Sequence, residues 1–386
     1  MKKILLIHTK YQDLGGEDIA VENEASLLKK NFEVREVYFQ NELTNPFTQF
    51  FKILSNRSKK NMKLVEAEIN NFNPNIIYIH NTWFEASLGI FKIANQYSIP
   101  TYIKLHNFRY FCTNHILAKN HIMHNNVCGA CGGVKKKYSL INKYFDNSLI
   151  KSILVLNYGK KYYKILKNPK FKIFVLTDFH KKFLVSLGFD INKIDVLYNA
   201  PPRKILINNQ SKDSYIIYAG RISREKGVED LIQAFLESRL DDFSLKIVGV
   251  GPEYSKLKTK YNSEKVKFYG LLSNTDTKKL IQNSNAVVTA TKLFEGQPTI
   301  LTEASVFSVP SIFPDFGGMS EFFPASYKLK FKQHDNKDLI NKLNLLKNKD
   351  EMKELGKSNY KFLDTLVDEK LIIEKFNTIM RTTNGR

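Results

Sequence analysis

The chain has 386 residues, 43% of them hydrophobic and 25% charged, with a formal net charge of +21. That length exceeds one comfortable core, so two domains are expected, and the ordinary balance of apolar and charged residues excludes a disordered chain. The excess of positive charge predicts attraction to something acidic, whether nucleic acid, anionic lipid or a phosphorylated substrate.

The opening MKKILLIHTK places two lysines before only four apolar residues in a row, too short for a signal peptide or a spanning helix. No later stretch approaches the roughly eighteen apolar residues a span needs. A cytoplasmic protein is expected, resting on a membrane surface if on any.

In chain order, ILLIH at 4–8 is a continuous apolar run that suits a buried parallel strand, followed by a loop with Gly15 and Gly16 and an amphipathic segment to Lys30. The alternation recurs: VREVYF, a helical stretch ending near Phe72, IIYIH at 76–80, a helix to Tyr97, and TYIKLH at 101–106. IFVLT at 173–177, a helix to Leu187 and IDVLYN at 194–199 complete a first domain, and Pro201, Pro202 and the polar 208–214 read as a linker.

A second series follows: YIIYAG into RISREKGVEDLIQAF, LKIVGVG into PEYSKLKTKY, VKFYG into TDTKKLIQN, AVVTA into 295–303, and then SIFP. Strands alternating with helices predict an α/β chain of two doubly wound, Rossmann-like domains facing across a cleft, with ligands beyond the C-terminal ends of the strands. The expected division is 1–200 and 201–364, with 365–386 a C-terminal helix returning to the first domain.

The stretch LFEGQPTILTEASVFSV at 293–309 places Glu295 and Glu303 eight positions apart, with Gly296 and Pro298 between them. Gly and Pro start the helix near Pro298, which puts Glu295 on the loop and Glu303 inside the helix. The first backbone N–H groups of such a helix are free to meet a phosphate, with a carboxylate on either side for sugar hydroxyls.

With Gly15-Gly16, HNF at His106, AGRISREKG, VGVGPE, FEGQPTILTEA and GGMSE in this order and spacing, the chain resembles a family 4 retaining glycosyltransferase of the GT-B fold, of the bacterial surface-polysaccharide type. Gln297 and Pro298 stand where many relatives carry an aromatic residue and a glycine. The resemblance implies transfer of a sugar from a nucleotide-diphosphate sugar to a hydroxyl of a saccharide acceptor, lipid-linked in the inner leaflet, with no cofactor for the chemistry. Glu303 would take the ribose hydroxyls. Glu295 with the backbone of Gly296, Gln297, Pro298 and Thr299 would hold the transferred sugar, and the Gly249 turn and Leu271 would flank the base.

His106 matches the histidine near the reacting sugar carbon. Gly15 and Gly16, lacking Cβ, would let the backbone approach the donor phosphates. Breaking the sugar–diphosphate bond develops negative charge on the leaving group, and Arg221 and Lys226, just after a strand, can meet it without a metal.

Two further signals accompany this reading. Cys112, His115, Cys128 and Cys131 give C-x2-H and C-x2-C spacings suited to a structural zinc, with reduced thiols as the alternative. From Lys135 to Lys182 thirteen lysines face two aspartates, a net of +11, interleaved with Tyr138, Tyr144, Phe145, Tyr158, Tyr162 and Tyr163. A second cluster joins Phe47, Phe50, Phe51 and Leu54 to Lys52, Arg57, Lys59, Lys60 and Lys63. Together they predict docking on an anionic membrane, the alternative being a solvated lysine face.

Other classes are weighed against this. A nicotinamide-dependent dehydrogenase lacks the third glycine of its motif at either Gly-rich turn. Nucleic-acid binding lacks recognition motifs, so no nucleic-acid partner is expected. A catalytically silent GT-B partner subunit is the alternative that intact Arg221, Lys226, Glu295 and Glu303 oppose.

Overall fold

The computed structural model describes residues 1–11, 15–40, 58–83, 85–108, 110, 148–200 and 214–383. The cysteine and histidine set at 112–131, the aromatic cluster at 47–54, the lysines at 135–143 and nearly all of the linker lie outside the described residues.

The chain divides into two units, Met1–Ala200 with Glu369–Arg386, and Pro201–Asp368. In the first, β1 (Lys3–Lys10) leads to α1 (Gly16–Leu28) and β2 (Glu33–Gln40), then α2 (Lys59–Phe72), β3 (Ile76–Ile79), α3 (Gly89–Gln96) and β4 (Thr101–Leu105). The series continues with α4 (Leu149–Leu166), β5 (Phe171–Val175), α5 (Asp178–Ser186) and β6 (Ile194–Val196). The strands are parallel and ordered β2-β1-β3-β4-β5-β6. Ile76 to Ile79 are all buried because a parallel sheet is covered on both faces, which is why the central strands read as unbroken apolar runs.

In sequence the helix α4 is a basic, aromatic-rich segment. Ser148 caps its start, accepting from the Lys151 N–H. Tyr158 and Tyr162 on this helix are buried, Tyr158 edge-on to Trp83 with ring centroids 4.7 Å apart. Their aromatic rings belong to the core, so they are removed from the predicted membrane face.

The second unit holds β7 (Tyr215–Ala219), α6 (Val228–Glu237), β8 (Ser244–Val248), α7 (Tyr254–Tyr261), β9 (Val266–Gly270), α8 (Asn274–Asn283) and β10 (Ala286–Val288). After these come α9 (Thr299–Val306), β11 (Ser311–Pro314), the two-residue β12 (Lys330–Phe331), α10 (Asn336–Asn344) and α11 (Lys349–Leu366). The order is β12-β11-β10-β7-β8-β9, all parallel.

The last helix, α12 (Glu369–Thr383), belongs to the first unit. Its Ile372, Phe376, Ile379 and Met380 lie in one buried cluster with Ile4, Leu6, Val21, Tyr78 and Phe174.

Candidate functional site

In each sheet the strand order reverses at one place, and there the loops leaving neighbouring strands diverge, opening a crevice beyond the carboxyl ends. In the second unit the reversal falls between β7 and β10. The loop after β7 carries Arg221 and Lys226, and the loop after β10 carries Glu295.

Sequence-distant charges meet here. Lys226 Nζ lies 2.5 Å from Glu295 Oε1, and Thr291 Oγ1 donates to the same oxygen at 3.3 Å. Both members of the pair are partly exposed, so they remain reachable by a ligand. Arg221 is exposed, its carbonyl fixed by the Tyr218 hydroxyl at 2.8 Å, and its guanidinium makes no ion pair among the described residues.

Backbone contacts that only glycine permits hold these loops together. Gly227 has φ +66°, and a Cβ there would sit 2.0 Å from the Ala290 carbonyl oxygen. Gly249 has φ +125° with its hypothetical Cβ 2.0 Å from the Gly220 oxygen, and the Ile222 N–H donates to the Val250 carbonyl at 3.0 Å. The GGMSE turn joins from the far side, the Gly318 N–H donating to the Glu295 carbonyl at 2.9 Å. Phe294 stacks on Phe316 with centroids 4.3 Å apart. Leu271, by contrast, stands 72% exposed.

Pro298 is the residue before α9 rather than its first helical residue: its ψ of 115° is extended, and its carbonyl accepts from the Leu301 and Thr302 N–H groups. Glu303, one turn into α9, is buried, with Lys278 of α8 3.7 Å away. Burial raises its carboxyl pKa, and the nearby Lys278 charge opposes that rise. Lys278 was not singled out in the sequence, because a lysine on a charged helix carries no mark of burial.

In the first unit the reversal falls beside β1, whose loop carries Gly15 and Gly16. Gly16 is the first residue of α1, and Gly15 precedes it with φ −108°, so neither backbone is in the left-handed region that demands glycine. A Cβ at Gly15 would meet nothing nearer than 3.6 Å. The loop is tied down by Asp18, which accepts from the Gly15 N–H at 2.9 Å and from His8 Nε2 at 2.8 Å. His8 Nδ1 accepts from the Asn81 N–H, which leaves its proton on Nε2.

His106, just past β4, lines a pocket with Trp83, Asn107, Tyr158 and Glu17. Its Nε2 lies 2.9 Å from Nδ1 of His80, which follows β3. Beneath them the fully buried Lys104 and Glu24 pair at 2.6 Å, and the Tyr78 hydroxyl donates to the other carboxylate oxygen at 2.7 Å. His80, Lys104 and Glu24 carried no signal in the sequence: alternation hides a buried charge whose partner is eighty positions away. Among the described residues no group of three or more His, Cys, Asp or Glu is placed to hold a metal ion; the candidate zinc ligands lie outside them.

Residues 204–362 match the family model described as Glycosyl transferases group 1. An uncharacterized glycosyltransferase of Methanocaldococcus jannaschii is 25% identical over 72% of this chain and 64% of its own length. The amylovoran biosynthesis glycosyltransferase AmsD of Erwinia amylovora is 27% identical over 36% of this chain and 42% of its own. The chain thus spans about two thirds or less of the length of these relatives. Among solved structures, Anabaena HepE in complex with UDP-glucose aligns with a TM-score of 0.67 at 14% identity, covering 99% of this chain and 100% of that one. The fold is GT-B, two domains each built on a six-stranded parallel sheet with surrounding helices. The family model and both of these relatives are glycosyltransferases by description.

Proposed function

We propose that the protein is a retaining glycosyltransferase that moves a sugar from a nucleotide-diphosphate sugar to a saccharide hydroxyl in surface-polysaccharide assembly. The observation that carries this reading is the pairing of Lys226 with Glu295 at the strand-order reversal of the second unit, on the loop that also carries the exposed Arg221 and on the approach to α9. Arg221 and Lys226 meet the charge that develops on the departing diphosphate, a preorganised arrangement that acts where charge appears in the transition state. Glu295 accepts hydroxyls of the transferred sugar, and Glu303 those of the ribose. The acceptor hydroxyl attacks on the face the diphosphate leaves, and a leaving phosphate oxygen takes its proton, so the reaction needs neither a nucleophilic carboxylate nor a metal. The relatives' names support a polysaccharide as the product class. UDP-glucose, bound by HepE, is the first donor to try.

The acceptor is lipid-linked, and the enzyme works as a peripheral protein on the inner face of the cytoplasmic membrane. Among the described residues no helix is long and apolar enough to cross a membrane. A thermal-shift panel of nucleoside diphosphates and nucleotide sugars tests the donor assignment, because a ligand of the folded state at 100 times its Kd stabilises it by about 2.7 kcal/mol. One base series should raise the midpoint by several degrees, with chelator present or absent. No response to any member, or transfer strictly dependent on a divalent ion, counts against the site as assigned.

A further inference from the structure

His80 and His106 follow adjacent strands, β3 and β4, which pair with Ile79 opposite Ile103. Their rings lie side by side, centroids 5.2 Å apart and planes 26° from parallel, joined by the 2.9 Å contact from Nδ1 of His80 to Nε2 of His106. His80 is 1% exposed, and its Nε2 has no hydrogen-bond partner among the described residues. His106 is partly exposed, and it makes no other hydrogen bond among them.

We propose that His80 is a positioning residue that fixes His106 in the tautomer protonated at Nδ1, so that His106 offers a sugar hydroxyl a neutral hydrogen-bond donor and not a base. This rests on the reading that His106 lies beside the transferred sugar.

The argument is one of proton counting. Burial holds both imidazoles well below the usual histidine pKa, with the Lys104 ammonium pushing the same way. Two neutral rings share one proton across the contact, and either His80 Nδ1–H donates or His106 Nε2–H does.

If His106 donates, the proton of His80 must sit on its enclosed Nε2, leaving a buried N–H without a partner. If His80 donates, its enclosed Nε2 presents only a lone pair. Orphaned buried N–H groups are the rarer case, so His80 donates. The nitrogen of His106 that accepts cannot carry its proton, which is left on Nδ1. His106 lines the pocket with Asn107 and Trp83, and Nδ1 is the nitrogen left for a ligand. A fixed donor suits a reaction in which the leaving phosphate, not the protein, takes the acceptor's proton.

Long-range proton–nitrogen correlation spectra of the full chain labelled at histidine nitrogens test this, with the His106 signals assigned from a His106→Gln variant. The ligand-free protein should show His106 protonated at Nδ1 and unchanged between about pH 8 and about pH 6. In His80→Phe the proton should move to Nε2 and kcat should fall about ten- to a hundredfold with the donor KM little changed, the scale for losing an orienting partner. His80→Asn, whose amide can donate from the Nδ1 position, should recover most of that loss. A His106 protonated at Nε2 in the unmodified protein overturns the proposal, whether or not His80→Phe folds. So does a folded His80→Phe with unchanged kcat. Full transfer by His106→Gln overturns the donor role by removing the reading beneath it, and the tautomer measured without ligand tells the two failures apart.

Discussion

At the scale of single residues, charge pairs decide what the site can do. Lys226 and Glu295 neutralise one another at 2.5 Å, yet both are partly exposed, so a diphosphate and a sugar can each claim one member. Lys226→Ala and Glu295→Gln should each lower turnover by about two to three orders of magnitude while the far-ultraviolet spectrum and melting temperature stay close to those of the parent. Retained turnover in either folded variant removes that residue from the site. Glu303 differs because it is buried: its pKa is raised, so the carboxylate proposed to take the ribose hydroxyls is lost as pH falls through a value above the ordinary carboxylate range. Nucleoside diphosphate affinity measured calorimetrically should therefore weaken at mildly acid pH. Glu303→Gln should bind about ten- to a hundredfold less tightly at neutral pH and lose that pH dependence, and Lys278→Met should move the dependence to higher pH. A pH-independent parent would contradict the role given to Glu303. Lys226 and Glu295 were legible because charged residues in Gly-rich loops after apolar strands have a recognisable order. His80 and Lys278 were not, since each depends on a partner more than twenty positions away.

At the scale of elements, the strands were readable because burial on both faces leaves no alternation, and Ile76 to Ile79 or Tyr215 to Tyr218 can be nothing but core. The helix α4 was less so: its lysines and aromatics suggested a surface, and only packing reveals that Tyr158 faces Trp83. The two-residue β12 is too short to leave a pattern. Loops that shape the site depend on glycines that differ in what they permit. Gly227 and Gly188 both have positive φ, +66° and +79°, but a Cβ at Gly227 would overlap the Ala290 carbonyl while one at Gly188 would come no nearer than 3.9 Å to the flexible Lys167 ammonium. Gly188→Ala should thus cost only the left-handed strain of about 1–3 kcal/mol. Gly227→Ala should cost that and more, because a backbone carbonyl must shift, and donor binding should weaken with it since Lys226 is the adjacent residue. Denaturant midpoints that fall equally for the two variants would show that the Ala290 contact is not rigid.

At the scale of the whole molecule, the chain builds one unit, passes to a second and comes back, and α12 buries Ile372, Phe376, Ile379 and Met380 in the first core. An amphipathic terminal helix announces an apolar face without naming the surface it covers. The membrane assignment is tested at this scale too, through α4. Leu149, Ile150 and Ile153 are 44%, 61% and 40% exposed near its start. Lys160, Lys161 and Lys164 repeat those positions eleven residues on, about three turns and hence on the same stripe. One face of the helix is therefore apolar at one end and cationic at the other. Such a stripe fits an anionic bilayer, where burial of the apolar residues adds to about 1 kcal/mol for each lysine near the surface. Sedimentation with vesicles should show binding that rises with anionic lipid and falls with salt. Ile150→Asp with Ile153→Asp should weaken it with no change in melting temperature, since both side chains are exposed. Lys161→Glu with Lys164→Glu should weaken it by roughly thirtyfold or more, the loss of two such contributions. If neutral and anionic vesicles bind equally poorly, the stripe is an ordinary solvated face, and a soluble saccharide takes the place of the lipid-linked acceptor.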